Sequence, residues 1–103
     1  MSNKLDKIHH LAIQVDNIAR AVQWYKLHMK CRVNYQDDSW AMIEFANIEL
    51  ALVLPDQHPP HFAIECSNIS QFGEPVTHRD GTQSVYTQDI DKNVIEMLKL
   101  SGE

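Results

Sequence analysis

Positive charge, cysteine and long apolar runs are all scarce in this sequence. Nine lysines and arginines stand against fourteen aspartates and glutamates, a formal net charge of −5. Nonspecific nucleic-acid binding needs a basic face, so the balance argues against a nucleic-acid partner. No apolar run approaches the roughly 18 residues of a membrane span. The opening Met1-Ser2-Asn3-Lys4-Leu5-Asp6-Lys7 has no apolar stretch of the signal-peptide kind. Two cysteines, Cys31 and Cys66, are too few and too far apart for a zinc cluster or a disulfide framework. A cytoplasmic chain with reduced thiols and no membrane partner is therefore expected. What is present is 44% hydrophobic residues over 103 positions, enough for one compact domain with a small core. Six histidines are a mild excess and the compositional hint of metal or proton chemistry.

Lys7 to Val15 alternates and reads as a strand. His10, Ala12 and Gln14 point one way; His9, Leu11, Ile13 and Val15 point the other. Asp16-Asn17 supplies a cap for a helix from about Ile18 to Lys30, whose apolar stripe is Ile18, Val22, Tyr25 and Met29. Three strands follow: Arg32 to Gln36, Trp40 to Phe45 and Ile48 to Leu54, with turns at Asp37-Asp38-Ser39 and Ala46-Asn47. In the last of them Leu50, Leu52 and Leu54 share one face, and Glu49, Ala51 and Val53 the other. Asp56 to Pro60 is a linker stiffened by Pro59-Pro60. His61 to Cys66 alternates again, with His61, Ala63 and Glu65 on one face. Asn68 to Pro75 is too short for an ordinary helix. Val76 to Arg79 and Ser84 to Gln88 flank the hairpin signal Asp80-Gly81, and Val94 to Leu100 closes the chain. The order is β-α-β-β-β, then the same with its helix nearly deleted, a repeat of architecture.

These segments resemble a known family. Ile8-His9-His10-Leu11-Ala12-Ile13-Gln14-Val15 is similar to the opening strand of the glyoxalase / bleomycin-resistance / extradiol-dioxygenase (vicinal oxygen chelate) superfamily. Ala21-Val22-Gln23-Trp24-Tyr25 resembles its helix, and His61-Phe62-Ala63-Ile64-Glu65-Cys66 the opening strand of its second module. Ser84 to Met97 resembles its closing hairpin, an aromatic strand, then Asp-Pro-Asp-Gly-Asn, then an apolar residue and Ile-Glu-Leu. Ile90 replaces the usual proline and Lys92 the usual glycine of that turn, so a standard turn shape is not required; Asn93 remains and tolerates a left-handed backbone.

The resemblance implies an α+β fold of two βαβββ modules, about 7–55 and 60–100 of a single domain over 1–103. Their mixed sheet would curl around a cleft, the second module nearly lacking its helix. It implies a divalent metal ion (zinc, nickel, iron or manganese) on His10, His61 and Glu96, with Glu49, in Ile48-Glu49-Leu50, as a fourth ligand in glyoxalase-like members. It implies a small-molecule substrate with vicinal oxygens, a lyase or isomerase activity with Glu96 or Glu49 as the catalytic carboxylate, and a homodimer. A drug-sequestering protein of the bleomycin-resistance type is the alternative, and an iron-dependent extradiol-type dioxygenase ranks below both.

Strand parity supports the same residues. It sets His10 and His61 opposite the apolar faces, toward a cleft or solvent, and two imidazoles with one carboxylate leave open positions on a divalent ion. The plainer alternatives are histidines exposed on an open sheet and, for Glu49, a surface carboxylate. Glu96 lies between Val94 and Leu98 on its face, a poor place for a lone carboxylate. Gln14 and Glu65, on the ligand faces of their strands, are candidate substrate contacts. His9, His28, His58 and His78 receive no role. Cys66, Trp24, Tyr25, Trp40 and Phe45 read as core. Phe62, Ile64 and Cys66, with Ile95 and Met97, form an apolar face for a dimer to cover.

Overall fold

The computed structural model describes residues 5–78 and 80–101. The elements are β1 (Ile8–Gln14), α1 (Ile18–His28), β2 (Arg32–Gln36), β3 (Trp40–Glu44), β4 (Glu49–Val53), β5 (His61–Glu65), a 3₁₀ turn (Ile69–Phe72), β6 (Val76–Thr77), β7 (Gln83–Gln88) and β8 (Val94–Lys99). The strands form one open mixed sheet of eight in the order β2-β3-β4-β1-β5-β8-β7-β6. β1 and β4 pair in parallel, while β2·β3, β3·β4, β6·β7 and β7·β8 are antiparallel. This is the expected α+β arrangement, with a 3₁₀ turn where the second helix is missing. Arg79, the expected end of β6, lies outside the described residues.

The chain divides into two compact units, 10–61 and 1–9 with 62–103. In the unit 10–61 the helix starts where the sequence places it. Asn17 is extended (φ −146°) and its side chain accepts from the Arg20 N–H at 2.9 Å. The helix ends earlier than its stripe implies. Met29 is already extended (φ −137°) and 44% exposed, because only three residues remain before β2 begins at Arg32. Ile18 and Val22 pack with Ala41, Ile43 and Leu52 into the core, with Ile13, Tyr25, Val33 and Leu50 around them. Trp24 is a correction: it is 48% exposed and stacks on His28, one turn on, with ring centroids 4.3 Å apart. Its position is off the 18/22/25 stripe.

The other unit has a smaller core. The 3₁₀ turn buries Ile69, and a Cβ on Gly73 would meet Val85 Cγ1 at 3.2 Å, so the turn lies close on β7. Glu65 N–H bonds to Lys7 C=O at 3.0 Å, which ties the first residues of the chain to this unit.

Aspartates close three of the turns. Asp37 accepts from Ser39 N–H, Ser39 Oγ and Trp40 N–H, and from the Tyr35 hydroxyl. These donors, Tyr35 foremost, hold its carboxyl well below the usual range. Asp80 accepts from the Thr82 hydroxyl and N–H, and Asp89 from the Asn93 side chain and N–H and from Asp91 N–H; both carboxyls are lowered for that reason. In the last turn the left-handed residue is Lys92 (φ 70°), at the usual glycine position, rather than Asn93, whose side chain is engaged with Asp89. A left-handed non-glycine residue costs about 1–2 kcal/mol, and the Asp89 hydrogen bonds offset it.

Candidate metal centre

In the unit 10–61 the registers of β1, β4 and β3 set three rows on the sheet face opposite the helix. The first is His10, Glu49 and Glu44; the second Ala12, Ala51 and Met42; the third Gln14, Val53 and Trp40. Ala12, Ala51 and Val53 are buried beneath Trp40 and Met42, and Tyr35 stacks on Trp40 with ring centroids 4.4 Å apart. The alternation in the sequence requires this separation of faces, because a strand repeats every second residue.

His10 is buried, at 7% exposure, in the middle of β1. His61, the first residue of β5, is half-buried, and the two imidazole centroids are 5.9 Å apart. The structure thus brings together two histidines that the sequence separates by fifty positions. His61 Nδ1 lies 2.8 Å from the Pro59 carbonyl. Glu49 neighbours His10 in the parallel pair, but its Oε2 accepts from Asn34 Nδ2 at 3.1 Å. The same Asn34 nitrogen donates to Glu44 Oε1 at 3.2 Å. Gln14 does not reach toward this row; its Nε2 donates to the His58 carbonyl at 3.0 Å.

In the other unit Glu96 is buried, at 6% exposure, between half-buried Val94 and buried Leu98 on β8. Tyr86 is its cross-strand partner, and burial, then the Glu96 charge, pushes the Tyr86 hydroxyl up to about 12, so it holds its proton. His78 Nε2 shares a 2.7 Å hydrogen bond with the hydroxyl of buried Ser84 and stands 4.0 Å from Glu96 Oε2. Sequence reading gave His78 no role. It follows a two-residue strand, too short for alternation to aim a side chain, and its partners lie six and eighteen positions away. Glu65 is half-buried on β5.

No protein-family description matches the sequence, and no curated protein matches it. Solved structures do. A glyoxalase/bleomycin resistance protein/dioxygenase superfamily member from Vibrio splendidus 12B01 is 9% identical over 93% of this chain and 100% of that one, with a TM-score of 0.71. The chain has the fold of that superfamily. A hypothetical protein from Bacillus halodurans C-125 matches at 18% identity, over 97% of this chain and 98% of that one, with a TM-score of 0.77. Streptomyces coelicolor methylmalonyl-CoA epimerase, in complex with 2-nitronate-propionyl-CoA, matches at 15% identity over 97% of this chain and 100% of that one, with a TM-score of 0.73. Among the described residues no helix is long and apolar enough to cross a membrane.

Proposed function

We propose that this chain is a cytoplasmic metal-dependent enzyme, a lyase or isomerase of the glyoxalase type acting on a small molecule with vicinal oxygens. In this reading His10, His61 and Glu96 hold its divalent ion. One observation carries it: buried His10, with Glu49 beside it in its row, and half-buried His61 hold their imidazoles with ring centroids 5.9 Å apart. The donor set suits a divalent ion. Two imidazoles and a carboxylate leave positions open, and burial of His10 and Glu96 keeps competing water away. When bound, the ion supplies Lewis acidity toward the substrate's oxygen pair.

The rest of the chemistry falls to the chain. Glu49, next to His10 and on the same face, takes the proton from the carbon beside those oxygens and returns it, and Asn34 keeps the carboxylate in place meanwhile. The epimerase among the structural neighbours is named for chemistry of this class. Elemental analysis tests the reading. Purified protein is expected to carry stoichiometric zinc, nickel, iron or manganese, and a His10→Ala/His61→Ala variant none. No metal in the wild type, with added zinc, nickel and iron also failing to bind, overturns it.

A second reading, a drug-sequestering protein of the bleomycin-resistance type, draws on the Tyr35–Trp40 stack, with Trp40 on the same sheet face as His10 and Glu49, two rows away. Ligand retention by the double-histidine variant would favour it. A homodimer completes the proposal. Phe62, Ile64, Cys66, Ile95 and Met97 are each only half-buried, and a second copy covering them would remove that apolar area from water. Light scattering at micromolar concentration is expected to give twice the chain mass, and a monomer overturns the dimer.

A further inference from the structure

The segment between β4 and β5 carries a hydrogen-bonded path from β1 to the second histidine. Gln57 and His58 both donate their N–H groups to the Leu54 carbonyl, at 3.0 and 3.2 Å, so the segment begins as a closed turn. The His58 carbonyl accepts from Gln14 Nε2 at 3.0 Å. The next carbonyl, of Pro59, lies 2.8 Å from His61 Nδ1. A carbonyl only accepts, so Nδ1 carries the proton and Nε2 carries the lone pair.

Only two torsions, φ and ψ of Pro59, separate those consecutive carbonyls. The pyrrolidine ring holds φ near −65°. Pro60 follows and restricts ψ of Pro59 to the extended region. A grip on the His58 carbonyl therefore transmits almost rigidly to the Pro59 carbonyl, and from there to the ring of His61. Gln14 sits on the same face of β1 as His10, four positions further on. One strand thus supplies an imidazole and also fixes the segment that aims the other.

We propose that Gln14 is a positioning residue, whose amide, through His58 and the Pro59-Pro60 pair, fixes the tautomer and orientation of His61 so that Nε2 faces the metal. The inference rests on the metal-binding reading above. It also revises the expected role of Gln14, from a substrate contact to an outer support of a ligand. Outer supports of this kind are worth about 10–100-fold in metal affinity.

The test compares wild type with Gln14→Met, which keeps the side-chain length and removes the donor. Gln14 is exposed, so the metal-free variant is expected to melt with the wild type. Cobalt(II) is titrated into each, following its visible absorption, and nitrogen NMR of the metal-free proteins reads the His61 tautomer. The expected result is about tenfold weaker cobalt binding in Gln14→Met, together with loss of the pure Nδ1–H tautomer of His61. Cobalt binding equal to wild type, or an unchanged tautomer, overturns the role of Gln14 and leaves the metal site standing. No cobalt binding by the wild type overturns the metal reading and this inference with it.

Discussion

Glu96→Leu is expected to abolish stoichiometric metal binding while leaving the metal-free protein as stable as wild type or more so. The two effects have separate causes. A carboxylate at 6% exposure, with Leu98 beside it on β8 and Tyr86 opposite, is costly to desolvate, and partners such as His78 at 4.0 Å return only part of that cost. Replacing a buried ion pair with apolar side chains of similar volume is often neutral or stabilising, by about 1–4 kcal/mol. Glu96→Leu removes one member only, but His78, the member left behind, is 39% exposed and water can solvate it. Tyr86 also loses the charge that helps to raise its hydroxyl. A ligand, by contrast, has no substitute. Removal of an outer support costs about 10–100-fold in affinity, and removal of a ligand itself costs at least as much. Chelator-treated wild type and variant are melted, then titrated with cobalt(II). Undiminished cobalt binding by Glu96→Leu would remove Glu96 from the metal centre. A large loss of metal-free stability would recast it as a structural carboxylate held by His78.

The parts of this result that could be read from the sequence are those that depend on period. Alternation aimed His10 and Glu49 to one face and Leu50 and Leu52 to the other, and the register bears this out. The helix start was legible because Asn17 is a cap by its own chemistry. The helix end was not. Met29 continues the stripe in sequence, but the start of β2 at Arg32 draws the chain out of the helix. Trp24 was assigned to the core on residue type, where its spacing already placed it off the stripe. His78 was given no role, and the hydrogen bond of Gln14 was not foreseen, for a different reason. Each meets a segment distant in sequence, Ser84 and Glu96 for one and the His58 carbonyl for the other, and no local pattern encodes such contacts.

Leu52→Ala is expected to lower stability by about 2–5 kcal/mol, since it leaves a cavity that rigid neighbours cannot fill. Leu52 is fully buried, with Ile13 and Ala41 as its register partners and Ile18 and Val22 of the helix in the same cluster. Ala41 is already the smallest apolar side chain that fits there, so nothing larger can swing in from β3. For a domain of about 100 residues, each kcal/mol moves the melting temperature by about 4–8 °C, so a loss of about 3 kcal/mol lowers it by about 12–24 °C. That is a large share of the roughly 5–15 kcal/mol that holds such a domain together. Leu27→Ala serves as the control: Leu27 is 70% exposed on the same helix, and the change should stay within about 0.5 kcal/mol. Equal melting of the two variants in chelator would show that the helix does not pack on β4. The same melts carry a second reading. β4 brings Glu49 beside His10 on its other face, so a collapsed core would shift the row that holds them. A saturating ion that binds only the folded protein raises the melting temperature by mass action. A smaller rise in Leu52→Ala than in Leu27→Ala is therefore expected, because the packing under β4 also sets the geometry above it.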